Sequence, residues 1–236
     1  MKFLVVIMSL IAGINLFAND YVVSYSQGYA QTSHEDLKDL NNFFIDYSKR
    51  THDIDLKIVD NYPNHYYLQF ELKFKTKDNF YTGFGFKSFS SGARLNYSDF
   101  SGELRTDLLS NSKFIYLLGQ YDFRPIKFLS ISPFMNYDLI FSQLEIKDYI
   151  RIYDESQQTT TDFSAFSHGF TFGTDLLVVI EPVQFGIKTS YTVDLNNFIF
   201  RGDYENEDRG MILSGDKIIQ AKWGGYRVGL VLSVGI

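Results

Sequence analysis

Bulky apolar residues and polar residues alternate with a period of two along most of this 236-residue chain, and no other feature constrains the fold as tightly. Between His65 and Lys75 the rhythm is nearly unbroken: Tyr66, Leu68, Phe70, Leu72 and Phe74 take one face, and His65, Tyr67, Gln69, Glu71, Lys73 and Lys75 the other. Successive strand residues point to opposite sides of a sheet, so this stretch reads as a strand with one apolar face.

The pattern recurs. After the turn Thr76-Lys77-Asp78-Asn79, Phe80, Thr82, Phe84 and Phe86 oppose Tyr81, Gly83, Gly85 and Lys87, which makes a hairpin. Ile115, Leu117, Gly119, Tyr121 and Phe123 oppose Gln120 and Asp122 before a turn at Arg124-Pro125-Ile126. Alternating residues from Leu129 to Phe141 then oppose Ser130, Ser132, Asn136, Asp138 and Ser142, with Pro133 lacking a ladder donor. Phe166 to Ile180, a turn at Glu181-Pro182, Val183 to Val193 and Tyr226 to Ile236 repeat the rhythm. With a strand near Tyr21 to Gly28, about eight strands are expected, in an all-β, closed antiparallel barrel of one domain. Tight turns alternate with long polar links near residues 30–64, 90–103, 148–158 and 200–216, the asymmetry expected of transmembrane barrels with short turns on one side and loops on the other.

Composition bears on what such a barrel meets. Beyond the N-terminus there is no run of roughly 20 apolar residues, so helical spanning is excluded. A net charge of -6 without a basic stripe argues against nucleic acid. The absence of cysteine excludes disulfides, thiol chemistry and a lipid-modified N-terminal cysteine. Lys2, the apolar stretch Phe3 to Phe17 and Ala18 have signal-peptide anatomy, so residues 1–18 are expected to be removed on export and 19–236 to form the barrel.

The polar faces are rich in Gly and Ser, which suit a crowded lumen, whereas the other faces carry bulky residues suited to lipid. Phe74, Phe80, Tyr121, Phe123 and Phe185 lie near the tight turns, and Tyr66, Phe86, Phe141, Phe166 and Tyr191 at the other rim, as two aromatic girdles would. A soluble lipocalin-like binder, with its apolar face inward, is the alternative. The leader, the hairpin rhythm and the closing strand Tyr226 to Ile236 resemble small outer-membrane barrels of the OmpA and OmpX type, over essentially the whole mature chain. In that family the last residue is commonly Phe, and Ile236 departs from it. The resemblance implies outer-membrane lipid, lipopolysaccharide and the barrel-assembly machinery as partners.

Opposite charges share the inward face: Glu71, Lys73, Lys87, Asp122, Asp138, Asp175, Lys188, Asp194 and Arg227 are expected to pair and fill the lumen. His34, His52, His65 and His168 form no metal-ligand spacing, and no cofactor is expected. Ser167-His168-Gly169-Phe170 lacks the His-x-Ser arrangement that lipid A deacylase barrels carry, so no enzyme is expected. The acidic stretch Asp203 to Arg209 lacks calcium-loop spacing. Ser33 to Arg50 has helical rhythm, with Ser33 as cap, Asp36 in capping-box position, and Leu37, Leu40, Phe44 and Tyr47 as an apolar stripe. This short amphipathic helix in the first long loop is expected to lie across the barrel mouth as a lid, the alternatives being a helix on the outer leaflet or a disordered loop. Two roles follow for the whole: a structural or surface-interaction barrel, or a narrow channel or binder of small apolar molecules gated by that helix.

Overall fold

The computed structural model describes residues 21–195, 200–202, 213–214, 217–220 and 222–235. In chain order these form β1 (Tyr21–Thr32), α1 (Glu35–His52), β2 (Lys57–Asn61), β3 (His65–Lys77), β4 (Phe80–Ser98), β5 (Gly102–Tyr121) and β6 (Phe123–Ile126). They continue with β7 (Leu129–Ile152), β8 (Glu155–Ile180), β9 (Val183–Asp194), the two-residue strands β10 (Arg201–Gly202), β11 (Leu213–Ser214) and β12 (Lys217–Ile218), and β13 (Gly225–Gly235). The expected leader, residues 1–18, the acidic stretch 203–209 and Ile236 lie outside the described residues.

Eight strands close a ring, β1-β3-β4-β5-β7-β8-β9-β13 and back to β1, every neighbouring pair antiparallel. Closure leaves the ring no free edge within the wall. The register fixes its shape. Stepping sideways from Tyr21 through Phe74, Thr82, Gly119, Met135, Phe172, Tyr191 and Tyr226 returns to β1 at Gln31, ten residues further along. That stagger over eight strands tilts them by about 40° from the axis at the usual strand spacing and rise. The interior is then just wide enough for side chains to fill.

In the lower part of the barrel the outward residues are apolar: Leu117, Met135, Phe141, Phe166, Phe172, Leu176, Ile187, Leu230 and Leu232 are all exposed. Most of the aromatics at the two rims are exposed as well, but Phe74 is 2% exposed, packed between the rings of Tyr21 and Phe84. The turn expected at Arg124-Pro125-Ile126 instead lies at residues 127–128, because β6 extends past Asp122 and pairs with β7.

Two of the expected long links are not loops. β4 and β5 run on to a tip at residues 99–101, and β7 and β8 to one at residues 153–154. β7 alone has 24 residues, which at this tilt climb roughly 60 Å, more than twice the height of an apolar band about 25 Å tall. The physical reason is a reversal of faces that polarity alone had disguised as loop. Beyond Phe141 the outward residues of β7 become Gln143, Glu145 and Lys147, while the inward ones become Leu144 and Ile146, which are 0% and 6% exposed. β4 and β5 reverse at the matching level, with Arg94 and Asp107 paired outside and Leu95 and Leu108 buried inside. These four strands stand above the rim as one wall, apolar on its concave side and wet on its outer side. β2 pairs with the free edge of β4, and β10 with β8.

α1 packs on the concave side. Leu37 and Leu40 are each 1% exposed and join one buried cluster with Leu56, Leu95, Leu108, Leu144 and Trp223, against which Phe43, Phe44 and Ile45 also pack. Tyr47, assigned to the stripe from its spacing, is 53% exposed. The helix starts later than expected. Its N-cap is His34, in the left-handed conformation with no side-chain cap, so Ser33 caps nothing. Asp36 has left the capping box: its carboxylate accepts from the Gln220 N–H at 3.2 Å and pairs with Lys222 at 3.5 Å.

Candidate functional site in the lumen and mouth of the barrel

The lumen holds charge in layers. At the level of β3 and β9, Lys188 Nζ lies 2.9 Å from Glu71 Oε1 and 3.3 Å from Asp175 Oδ2, while Lys73 Nζ lies 3.2 Å from Glu71 Oε2 and 3.9 Å from Asp175 Oδ2. Two ammonium groups thus alternate with two carboxylates. Gln69 and the Tyr116 hydroxyl also donate to Glu71, at 2.6 and 3.1 Å, and Gln120 donates to Asp175 at 3.3 Å. Charges removed from water persist only when paired and hydrogen-bonded in this way. The rings of Phe134 under Lys188, and of Tyr116 and Phe114 beside Lys87, close the layer with cation-π contacts.

One layer higher, Lys87 pairs with Asp138 at 2.8 Å and donates to Thr171 at 3.0 Å. Thr171 in turn hydrogen-bonds Asp138 and Thr192, and Thr192 accepts from Arg227. Near the lower rim Asp122 accepts from Ser130, from Ser132 at 2.9 Å and from Arg124 at 2.9 Å. The cleft between Lys73, Gln120, Asp122 and Gln184 measures ≈ 20 Å³, about the room of one water molecule. The nine charged residues read from the sequence face inward, and seven of them fall into three groups: Glu71, Lys73, Asp175 and Lys188; Lys87 and Asp138; and Asp122 with its Arg124 partner. Arg227 and Asp194 do something else.

Both hold Trp223. The Asp194 carboxylate accepts from the backbone N–H groups of Trp223 and Gly224 at 2.6 and 2.8 Å, and Arg227 Nη2 donates to the Trp223 carbonyl at 3.1 Å. The indole is 1% exposed at the mouth, in edge contact with His34 at 4.7 Å and His65 at 5.8 Å between ring centroids, and 6.0 Å from Phe89. The guanidinium of Arg227 lies 4.6 Å over the Phe89 ring and 5.5 Å from that of Phe114. α1 covers this cluster through His34 and Leu37, and Asn41 ties the helix to β2 by donating to Asn61 at 3.0 Å.

Sequence reasoning missed this cluster. Trp223 is the chain's single tryptophan and lies in a short link with no period to read, and Phe89, Phe114 and Phe134 sit on faces otherwise read as polar. The available signal was parity: Phe89 is two residues from Lys87 and so shares its inward face. His168 points outward from β8 and its Nδ1 shares a hydrogen bond with the Tyr137 hydroxyl at 3.2 Å. Among the described residues no group of three or more metal-ligating side chains comes together.

No family model matches the chain, and no curated protein matches it in sequence. Solved structures of similar form include Neisserial surface protein A, 9% identical with a TM-score of 0.39, covering 91% of this chain and 96% of that one. A major outer membrane protein from Thermus thermophilus is 8% identical, with a TM-score of 0.45 and coverage of 92% and 99%. Ail, the attachment invasion locus protein of Yersinia pestis, is 13% identical, with a TM-score of 0.29 and coverage of 91% and 95%. The likeness is one of fold alone. The chain itself folds as a closed eight-stranded antiparallel barrel, apolar outside and charged within.

Proposed function

We propose that this protein is an integral barrel of a bacterial outer membrane, exported with loss of residues 1–18, whose filled lumen makes it a scaffold for the wall above the membrane instead of a pore. The observation that carries this reading is the face reversal of β4, β5 and β7 at the level of Phe86, Ile115 and Phe141. Below that level a strand has lipid outside and ions inside; above it, water outside and a protein core inside. A water-soluble barrel has no reason to change sides halfway along a strand.

The wall's outer face suits contact with the surroundings of the cell. Its ion pairs Arg94–Asp107, Lys147–Glu145 and Arg151–Glu103 are solvated, and its tips carry Phe100 and Tyr153 at 96% and 75% exposure. Barrel insertion by the assembly machinery and immersion in lipid and lipopolysaccharide belong to the same reading. A barrel filled by paired charges passes no steady current, so conductance of purified protein in planar bilayers tests it. The expected trace is flat. Steady conductance of general-porin size supports the channel reading instead.

A further inference from the structure

We propose that His34, His65 and Trp223 form an acid-released latch that keeps α1 docked over the mouth near neutral pH and frees it as the pH falls. His34 is both the N-cap residue of α1 and part of the barrel plug, with a left-handed backbone (φ 43°), 2% exposure, and an imidazole against Trp223 at 4.7 Å, Tyr62 at 5.3 Å and His65 at 5.8 Å. No hydrogen-bond partner among the described residues meets either of its ring nitrogens. The helix therefore seats one titratable ring in an apolar, aromatic socket that offers a proton nothing.

The charged and titratable groups around that socket are Asp36 and Lys38 on α1, Tyr62 ahead of β3, His65 and Tyr67 on β3, Lys222 and Arg227 beside Trp223, and Asp194 on β9. The two carboxylates are already engaged: Asp36 by Lys222 and the Gln220 N–H, Asp194 by the Trp223 and Gly224 N–H groups. The other neighbours are cations or aromatic rings. Burial, then His65, then Lys38 hold the His34 pKa down to about 3 in the docked state.

Undocking returns His34 to water, where an imidazole titrates near its ordinary value of about 6.5. The docked state thus binds fewer protons than the open one, so docking is fully favoured above about pH 6.5 and is weakened as the pH falls toward 3. Over that interval the open-to-docked ratio rises about tenfold per pH unit for one histidine. Release bares the concave apolar face of the wall, including Leu95, Leu108, Leu144 and Ile146.

The chain supplies its own probe, since Trp223 is its single tryptophan, and it has no cysteine to interfere with added ones. Emission of the folded full-length protein in detergent, and its quenching by acrylamide, are followed from pH 8 to pH 4. Expected is a shielded indole at pH 8 that becomes quencher-accessible below about pH 6, with the onset lowered by at least one pH unit in His34→Gln. A second variant, Asn41→Cys/Asn61→Cys joined by a short bifunctional crosslinker, pins α1 to β2 and is expected to abolish the response, which reverses on releasing the link. An indole that stays shielded to pH 4, an unchanged onset in His34→Gln, or a crosslinked protein that still responds would each overturn the latch. Barrel integrity is checked in every sample by heat-modifiable migration.

Discussion

Lys188 stands 2.9 Å from Glu71 across the lumen, each side chain 1% exposed, and the two come from strands on either side of the β1–β13 seam. Removing one member leaves the other charged and buried. Lys188→Ala strips one of the two cations shared by Glu71 and Asp175, and breaking a buried pair costs about 3–5 kcal/mol. Urea unfolding in lipid vesicles is expected to show that loss. Replacing both members, Glu71→Gln with Lys188→Met, is expected to recover a large part of it, because no orphaned charge remains. If the single and double variants are equally unstable, the pair matters only for its packing.

At the seam itself, Gly28 is paired with Gly229, and a Cβ on Gly28 would stand 2.1 Å from the Val228 carbonyl oxygen and 2.3 Å from the Gly229 Cα. Both contacts are backbone, so nothing flexible can yield. Gly28→Val is expected to prevent closure and abolish the heat-modifiable form, whereas Val23→Ala, on the outward face of the same strand, is expected to leave migration unchanged.

Asp99 organises the tip of the β4–β5 hairpin. Its carboxylate accepts from the Ser101 N–H and hydroxyl at 2.8 and 2.7 Å, from the Gly102 N–H at 3.1 Å and from the Tyr97 hydroxyl at 2.8 Å, and these bonds, the Ser101 hydroxyl first, hold its pKa down to about 2. A lowered carboxylate pKa contributes order that is complete above the unfolded value and lost as the pH falls through the folded one. Amide protection at Ser101 and Gly102 is therefore expected to persist to pH 4 and fade toward pH 2, and to be lost at all pH values in Asp99→Ala, which removes the acceptor. Persistence of protection in Asp99→Ala contradicts the assignment.

How much of this was legible in the sequence follows from which signals are local. Alternation from His65 to Lys75 specifies both a strand and its faces, so the ring and the inward set from Glu71 to Arg227 could be read directly. The same rule misled above the rim of the barrel. Residues 143–147 still alternate, but with polarity exchanged, and the stretches near 90–103 and 148–158 beyond such an exchange look like loops unless the continuing period is followed into them. The helix was visible from Leu37 and Leu40, but its start was not, because Ser33 offers a cap that tertiary docking of His34 overrides. Trp223 carried no period, and its backbone is held by Asp194 and Arg227, each contributed by a different strand.

Cysteine accessibility along β7 reads the face reversal from the outside of the cell. Single cysteines at Met135, Leu139, Glu145 and Lys147 sit on one outward face of β7, two below the reversal and two above it. Intact cells carrying each variant are treated with a membrane-impermeant maleimide. Labelling is expected at positions 145 and 147 and not at 135 and 139, which become reactive only after denaturation. Equal labelling of all four positions on intact cells, or of none, would contradict the account.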